Sequence, residues 1–213
     1  MLGIRVTVPI ACFRKGLARE YLETEPLPPP ATCYGFLLSL VGETHRARHA
    51  GCRVTPVLLN QPFQSVVLRT VWRVKSKPLG SPGNTRPDFQ QLLSPVDVVI
   101  WLDSTQESEE PFLERRVASV VVEKQFAGVT RFGGLSLGES THLVDEVCHF
   151  ADDDSRQGQA FLLNPTGRYT FPVWVDHVGS AGTNYVTGDI VQGPLRAPAL
   201  SRMPRIEPKK PVV

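Results

Sequence analysis

The sequence predicts an α+β domain of the ferredoxin-like, RRM-like kind, ordered strand, helix, strand, strand, helix, strand (βαββαβ). Three observations predict it. Several segments alternate apolar and polar residues, as half-buried strands do. Two others space their apolar residues at helical intervals, one entered through prolines and left through a glycine. A glycine-rich segment, Phe132 to His142, stands between the second helix and the last strand. The predicted domain covers 1–155, with an inserted loop or hairpin around 75–95. A small β-rich extension covers 156–200, and a mobile tail covers 201–213.

Taken in order, residues 2–12 alternate, with Ile4, Val6, Val8, Ile10 and Cys12 on one face and Arg5 and Thr7 on the other. A basic turn, Arg14-Lys15-Gly16, follows. Pro28, Pro29 and Pro30 suit a helix entrance, because proline fixes the backbone and has no N–H to lose there. From Ala31 to Val41 the apolar residues Cys33, Phe36, Leu37, Leu40 and Val41 fall at helical spacing. Gly42 stands where the helix end favours a left-handed residue.

Residues 65–77 alternate again, placing Val66, Leu68, Trp72 and Val74 on one face and Arg69, Arg73, Lys75 and Lys77 on the other. Residues 78–90 are rich in Pro and Gly and read as a loop or hairpin tip. Val96 to Leu102 is the next strand. Pro111 to Val121 reads as the second helix, capped by Ser108, with Leu113, Val117, Val120 and Val121 on its apolar face. Leu143 to Phe150 closes the pattern, and Tyr169 to Val178 is a strand of the extension. Trp72, Trp101 and Trp174 all lie in strands and read as packing residues.

The net charge of +2 conceals a polarity. Residues 1–80 hold 11 Lys/Arg against 4 Asp/Glu, and residues 81–155 hold 5 against 14. Residues 156–213 hold 7 against 3. One basic and one acidic face suit a nucleic-acid partner, although a soluble surface can also carry charge this way. The four cysteines form no C-x-x-C pair and have no zinc-ligand spacing. Cys12 and Cys33 lie in apolar runs. No basic segment followed by a long apolar one opens the chain, and no run of 18 apolar residues occurs. A reduced, soluble, cytoplasmic protein without membrane, metal or cofactor is the expectation.

Residues 133–140 read Gly-Gly-Leu-Ser-Leu-Gly-Glu-Ser. Glycine lets backbone N–H groups approach a phosphate closely, and serine hydroxyls can donate to phosphate oxygens or 2′-hydroxyls. Arg131 and His142 flank the segment, and Leu135 and Leu137 can anchor it. It is not a Walker A loop, since the lysine is missing and a helix precedes it. Its glycine spacing does not match a dinucleotide fingerprint. The competing reading is a tight connection whose glycines serve turn geometry alone.

Two segments resemble a known family. Residues 28–43, Pro-Pro-Pro-Ala-Thr-Cys-Tyr-Gly-Phe-Leu-Leu-Ser-Leu-Val-Gly-Glu, are similar to the first helix of the fifth Cas family of CRISPR-associated proteins. Residues 133–145, Gly-Gly-Leu-Ser-Leu-Gly-Glu-Ser-Thr-His-Leu-Val-Asp, are similar to its glycine-rich loop and following strand. The resemblance spans roughly residues 1–150. It implies a RAMP protein, ferredoxin-like, with a long hairpin or thumb. It also implies a subunit that caps the 5′ handle of CRISPR RNA in a type I effector complex (Cascade), touching the large and backbone subunits and target DNA indirectly. The RNA-contacting candidates are then Arg14, Lys15, Arg19, Tyr34, Arg69, Arg73, Lys75, Lys77, Arg131, Gly133, Gly134, Ser136, Gly138, Ser140 and His142. The strand ending at Lys77 and the loop 78–95 are the candidate thumb.

One branch of that family cleaves precursor RNA, pairing a first-helix tyrosine with a downstream Lys-His pair. Here no Lys-His pair exists, and Lys124 is followed by Gln125. A non-catalytic subunit is therefore expected. The remaining candidate acids and bases are Tyr34, His45, His49, His142 and His149. His45 and His49, with Arg46 and Arg48, form a small basic cluster beyond the first helix. They would share a face only if that helix continued. Asp152, Asp153 and Asp154 read as a surface turn. Endoribonuclease activity and a ferredoxin-like protein-interaction module are the alternatives.

Overall fold

The structure is a computed structural model that describes residues 1–16, 21–72, 78, 81–178 and 180–209. Among the described residues, ten strands and two helices run in the order β1 (Leu2–Val8), β2 (Tyr21–Leu22), α1 (Pro30–Leu40), β3 (Arg53–Leu58), β4 (Phe63–Trp72), β5 (Thr85–Ser94), β6 (Val96–Asp103), α2 (Leu113–Val121), β7 (Glu146–Phe150), β8 (Asp153–Leu163), β9 (Tyr169–Trp174) and β10 (Asn184–Leu195). Seven strands form one sheet in the order β7-β1-β6-β3-β8-β10-β9, and a smaller sheet has the order β2-β5-β4.

The alternation of β1 becomes two packed layers. Leu2, Ile4, Val6 and Val8 face the helices and join Val98, Ile100 and Leu102 of β6 in the main core. The opposite face holds Trp101, Phe150, Val57, Leu195 and Met203. Gly3 lies under Trp101, where a Cβ would stand 2.8 Å from the indole ring. Also on that side, Arg5 grips Asp97 with two hydrogen bonds, 2.8 and 2.9 Å.

Both helices form as the sequence expects, with one change. α1 begins at Pro30 and ends at Leu40, and Gly42 turns the chain at φ +67°. A Cβ there would stand 2.5 Å from the Thr130 carbonyl oxygen, so glycine is required twice over. α2 buries Leu113, Val117, Val120 and Val121. Its first amides are not capped by Ser108. The Glu107 carboxylate accepts from the Leu113 N–H at 3.0 Å, and the Ser104 hydroxyl accepts from the Glu114 N–H at 3.0 Å.

The strand order departs from the sequence reading in one place. The second strand of the main sheet is β3, not 65–77. Five of the six β3 residues are buried, so it has no period-2 signature, and it contains Pro56. Pro56 shares its ladder side with Val54, whose N–H bonds the Pro204 carbonyl, whereas β8 pairs only with Val57 and Leu58. The proline thus stands where one neighbour of β3 gives way to the next, and no ladder donor is lost there. β4 and β5 pair as an antiparallel hairpin instead, with Phe63 opposite Ser94 and Trp72 opposite Thr85. Trp72 is 59% exposed rather than packed, because its strand lies outside the main sheet.

The extension is part of the same sheet, through β3–β8 pairing, and the boundary at 155 falls inside β8. The segment read as a tail is held down through residue 206. Met203 and Ile206 are buried, and the Ile206 N–H bonds the Cys52 carbonyl at 2.8 Å. Residues 210–213 lie outside the described residues.

Candidate nucleic-acid interface

The two segments singled out in the sequence meet across a groove, and β9 supplies its third wall. The groove has a volume of 340 Å³. Its lining includes Thr32, Gly35 and Ser39 of α1, Ser136 and Gly138 of the glycine-rich segment, and Arg46, Trp174 and His177. None of the lining residues is acidic. A shallower depression adjoins it over Gly35, Ser39 and Arg46; it is lined also by Glu43 and extends to Arg131 and the fully exposed Phe132.

The glycine-rich segment folds into a tight turn. Leu137 and Val144 N–H groups bond His142 and Leu135 carbonyls, at 3.1 and 3.0 Å. Leu137 is fully buried in the main core, and Leu135 packs against that core. Gly138 sits at φ +99°, and a Cβ there would stand 2.7 Å from the Cys12 carbonyl oxygen. The loop is therefore pressed onto the chain just after β1.

His142 does a different job from the one expected of it. It is buried, and its Nδ1 accepts N–H bonds from Cys12 at 3.2 Å and Glu139 at 3.3 Å. An acceptor Nδ1 means a neutral ring protonated at Nε2. His142 thus locks the loop to Cys12 rather than facing a ligand. Burial lowers its pKa below the ordinary value; the Glu139 carboxylate opposes that shift and the Arg69 guanidinium adds to it. The unfolded chain then takes up the proton first as the pH falls. The stabilisation is complete above about pH 6.5 and is lost as the pH falls below it. The melting-temperature gap between wild type and His142→Ala should therefore shrink between about pH 7 and about pH 5. A gap that does not vary with pH would contradict this lock.

The other expected contacts divide. Arg131, Gly133, Gly134 and Ser140 are exposed on the segment, with the Arg131 Nε donating to the Gly133 carbonyl at 3.3 Å. Arg14 is exposed, and Lys15 lies 3.8 Å from Glu23. Tyr34 is corrected: its ring is buried beside Trp174 and its hydroxyl donates to the Arg46 carbonyl, so it cannot stack on a base. Arg69 is tied to Asp88 at 2.9 Å on the inner face of the hairpin. Arg19, Arg73, Lys75 and Lys77 lie outside the described residues.

His45 and His49 do not act as a pair. The chain after Gly42 makes turns instead of extending α1, leaving His45 exposed and His49 fully buried. The His49 Nδ1–H donates to Glu107 at 2.7 Å, and Arg116 donates to its Nε2 at 3.0 Å. Arg116 also donates to Glu43 at 2.5 Å and to the Val41 carbonyl at 3.2 Å. Burial opposes the charge on Glu43, but the His45 N–H and Arg116 outweigh it and hold the carboxyl at about 2. The network joins the end of α1 to the start of α2. It also fixes the turn that carries Arg46. Among the described residues, no three His, Cys, Asp or Glu side chains cluster as metal ligands do. Asp152 and Asp153 accept N–H bonds from Ala197 and Ser155, and Asp153 and Asp154 begin β8 instead of forming the surface turn read from the sequence.

Arg46, Trp174 and His177 were not singled out together by the sequence. The Arg46 guanidinium lies 4.3 Å from the centroid of the Trp174 ring and donates to the Val175 carbonyl at 2.5 Å, across 129 positions of chain. No local pattern marks such a pairing.

The fold is similar to that of a chain in a CRISPR RNA-guided surveillance complex, with a TM-score of 0.61, 13% identity and 93% and 91% of the two chains covered. A chain from a crystal structure of a Cas protein gives 0.50 at 12% identity, covering 91% of this chain and 94% of that one. A chain of the Type III-B Cmr-beta complex, bound to cognate target RNA and AMPPnP, also gives 0.50, at 11% identity over 90% and 84%. These likenesses place the fold among CRISPR-associated proteins. The chain matches no family model. It is 50% identical over 210 residues to CRISPR-associated protein Cas5 of Myxococcus xanthus (strain DK1622), covering 97% of each chain. The chain belongs to the Cas5 family of CRISPR-associated proteins.

Proposed function

We propose that this chain is a non-catalytic subunit of a type I, Cascade-like CRISPR effector complex that binds and caps the 5′ handle of CRISPR RNA. The observation that carries this reading is the groove itself. It brings the glycine-rich segment and the exposed face of α1 together without an acidic residue in its lining. Donors from hydroxyls, backbone amides and a guanidinium suit a single-stranded RNA backbone with its phosphates and 2′-hydroxyls.

Three further features support it. The antiparallel run β7-β1-β6-β3, with α1 and α2 on one face, has the strand order of a ferredoxin-like, RAMP-type core. The β4–β5 hairpin stands outside that sheet and is our candidate for the thumb, longer than the 75–95 insertion read from the sequence. Its outer face exposes Val66, Leu68, Trp72 and Phe89, with Tyr21 beside Phe89, and the paired positions there are uncharged. An exposed apolar face of this kind marks an interaction surface. In this reading it meets the backbone or large subunit, and target DNA is reached only through the complex. The compartment is the cytoplasm, with the four cysteines kept free.

The endoribonuclease alternative needs a base at the groove. Of the candidates read from the sequence, Tyr34 is buried and His142 is committed to two backbone amides, so His177, which lines the groove, is the imidazole that this alternative would have to use. Repeat RNA incubated with the protein in EDTA should be bound and recovered intact. Cleavage at one unique phosphodiester would overturn the non-catalytic assignment.

A further inference from the structure

The structure places a cation in the groove and leaves it without a counter-charge. Two neighbouring arginines beyond α1 meet a carboxylate. Arg116 and Arg48 share Glu43, at 2.5 and 3.4 Å. Arg46 has none among the described residues. Its guanidinium is held by the Trp174 ring and the Val175 carbonyl instead. Its own carbonyl accepts the Tyr34 hydroxyl. The residue is fixed at both ends, and one end is provided by β9.

Such an arrangement has a cost that packing alone does not explain. A half-buried guanidinium has five N–H donors and loses hydration. The ring contact returns part of that loss, and one carbonyl serves one donor. Arg46 lines a groove that holds further uncommitted polar side chains. Among the described residues, the side chains of Thr32, Ser39, Ser136 and His177 make no hydrogen bond. Uncommitted donors around one pre-set cation, with no acid in the lining, define a site for an oxyanion.

We propose that Arg46 is the phosphate-binding residue of the groove, and that the C-terminal extension, through Trp174 and Val175, is the positioning element that presents it. The ligand class is a phosphodiester of single-stranded RNA. This rests on the RNA-binding reading above, and it gives residues beyond 155 a part in the RNA site. The competing role is mechanical: Arg46 would only staple β9 to α1.

The test is the salt dependence of binding, which a staple would not alter. The full chain is titrated with a single-stranded repeat-derived RNA over a range of KCl concentrations. Loss of one phosphate contact lowers the slope of log Kd against log[salt] by about 0.7. Arg46→Gln should show that loss, together with roughly tenfold weaker binding at low salt. Arg46→Lys should keep the slope while binding less tightly than wild type, since the charge remains and the planar fork does not. A second measurement uses wild-type protein alone. Phenylglyoxal modification of Arg46, read by mass spectrometry, should be suppressed by the same RNA. If wild type binds but Arg46→Gln keeps its slope, or if RNA leaves Arg46 equally reactive, Arg46 is a staple and the proposal is wrong. A wild-type chain that binds no RNA at all would instead remove the RNA-binding reading on which the proposal stands.

Discussion

Glu107→Ala is expected to lower the melting temperature by roughly 6–20 °C, from a loss of about 3–5 kcal/mol. The carboxylate is completely buried and serves three donors: His49 at 2.7 Å, the Leu113 N–H at 3.0 Å and the Ser104 hydroxyl at 2.5 Å. Alanine leaves all three without an acceptor in a site that water does not reach, which costs more than the bonds themselves gave. The loss is a large fraction of the roughly 5–15 kcal/mol that holds an ordinary domain together. The effect should extend to the groove, because the same network anchors Arg116 to the Val41 carbonyl and so holds the turn carrying Arg46. Thermal or urea unfolding of the variant checks this. A melting temperature within about 2 °C of wild type would show that the network contributes less than a single ordinary hydrogen bond.

Gly138→Ala is the second large effect, expected at about 2–4 kcal/mol of local destabilisation. Two costs add. The backbone stands at φ +99°, where a side chain is strained, and the new methyl would meet the Cys12 carbonyl oxygen at 2.7 Å. Neither atom is at the flexible end of a side chain, so the loop must lift from Cys12 or the chain after β1 must shift. Ser136, which shares this turn, would leave the groove wall with it. RNA affinity should fall about tenfold, about 1.4 kcal/mol, if roughly half of the strain reaches the site. Gly133→Ala separates the causes. It stands at φ +78° with open space around it, so it has the strain without the clash. Its effect on affinity should be clearly smaller. Equal losses for the two variants would mean that backbone conformation, not seating on Cys12, controls the loop.

The sequence showed those parts of the molecule in which one local pattern has one structural meaning. The prolines before α1, the glycine after it and the four apolar residues of α2 each had a single physical reading, and each was found in place. The strand after the glycine-rich segment was legible for the same reason. β3 was not, since a strand buried on both faces loses its alternation and Pro56 argues against a strand. The hairpin failed in the opposite sense. Its alternation is genuine, but period 2 cannot tell a face turned to a core from one turned to solvent, so Trp72 was read as packed.

The candidate site was half legible. The glycine-rich segment and the first helix were identified from their own residues, and they do face one another. His142 was read as a contact because an imidazole beside a loop has the right chemistry for one. Its actual role depends on the approach of Cys12, 130 positions away. The pairing of Arg46 with Trp174 is equally remote and gave no local signal. Trp174 was correctly expected to pack, yet what it packs against is the cation of the groove.

The central claim is that the groove between α1, the glycine-rich segment and β9 is an RNA site. The most direct measurement is the affinity of the purified full chain for a single-stranded RNA carrying the repeat-derived 5′ handle. It is compared with an unrelated RNA of equal length, between about 50 and about 200 mM salt. The account predicts tighter binding of the handle. It also predicts a log–log salt slope of at least about 2, corresponding to three or more phosphates at about 0.7 each. Equal affinity for the two RNAs, or binding that does not change with salt, would contradict it.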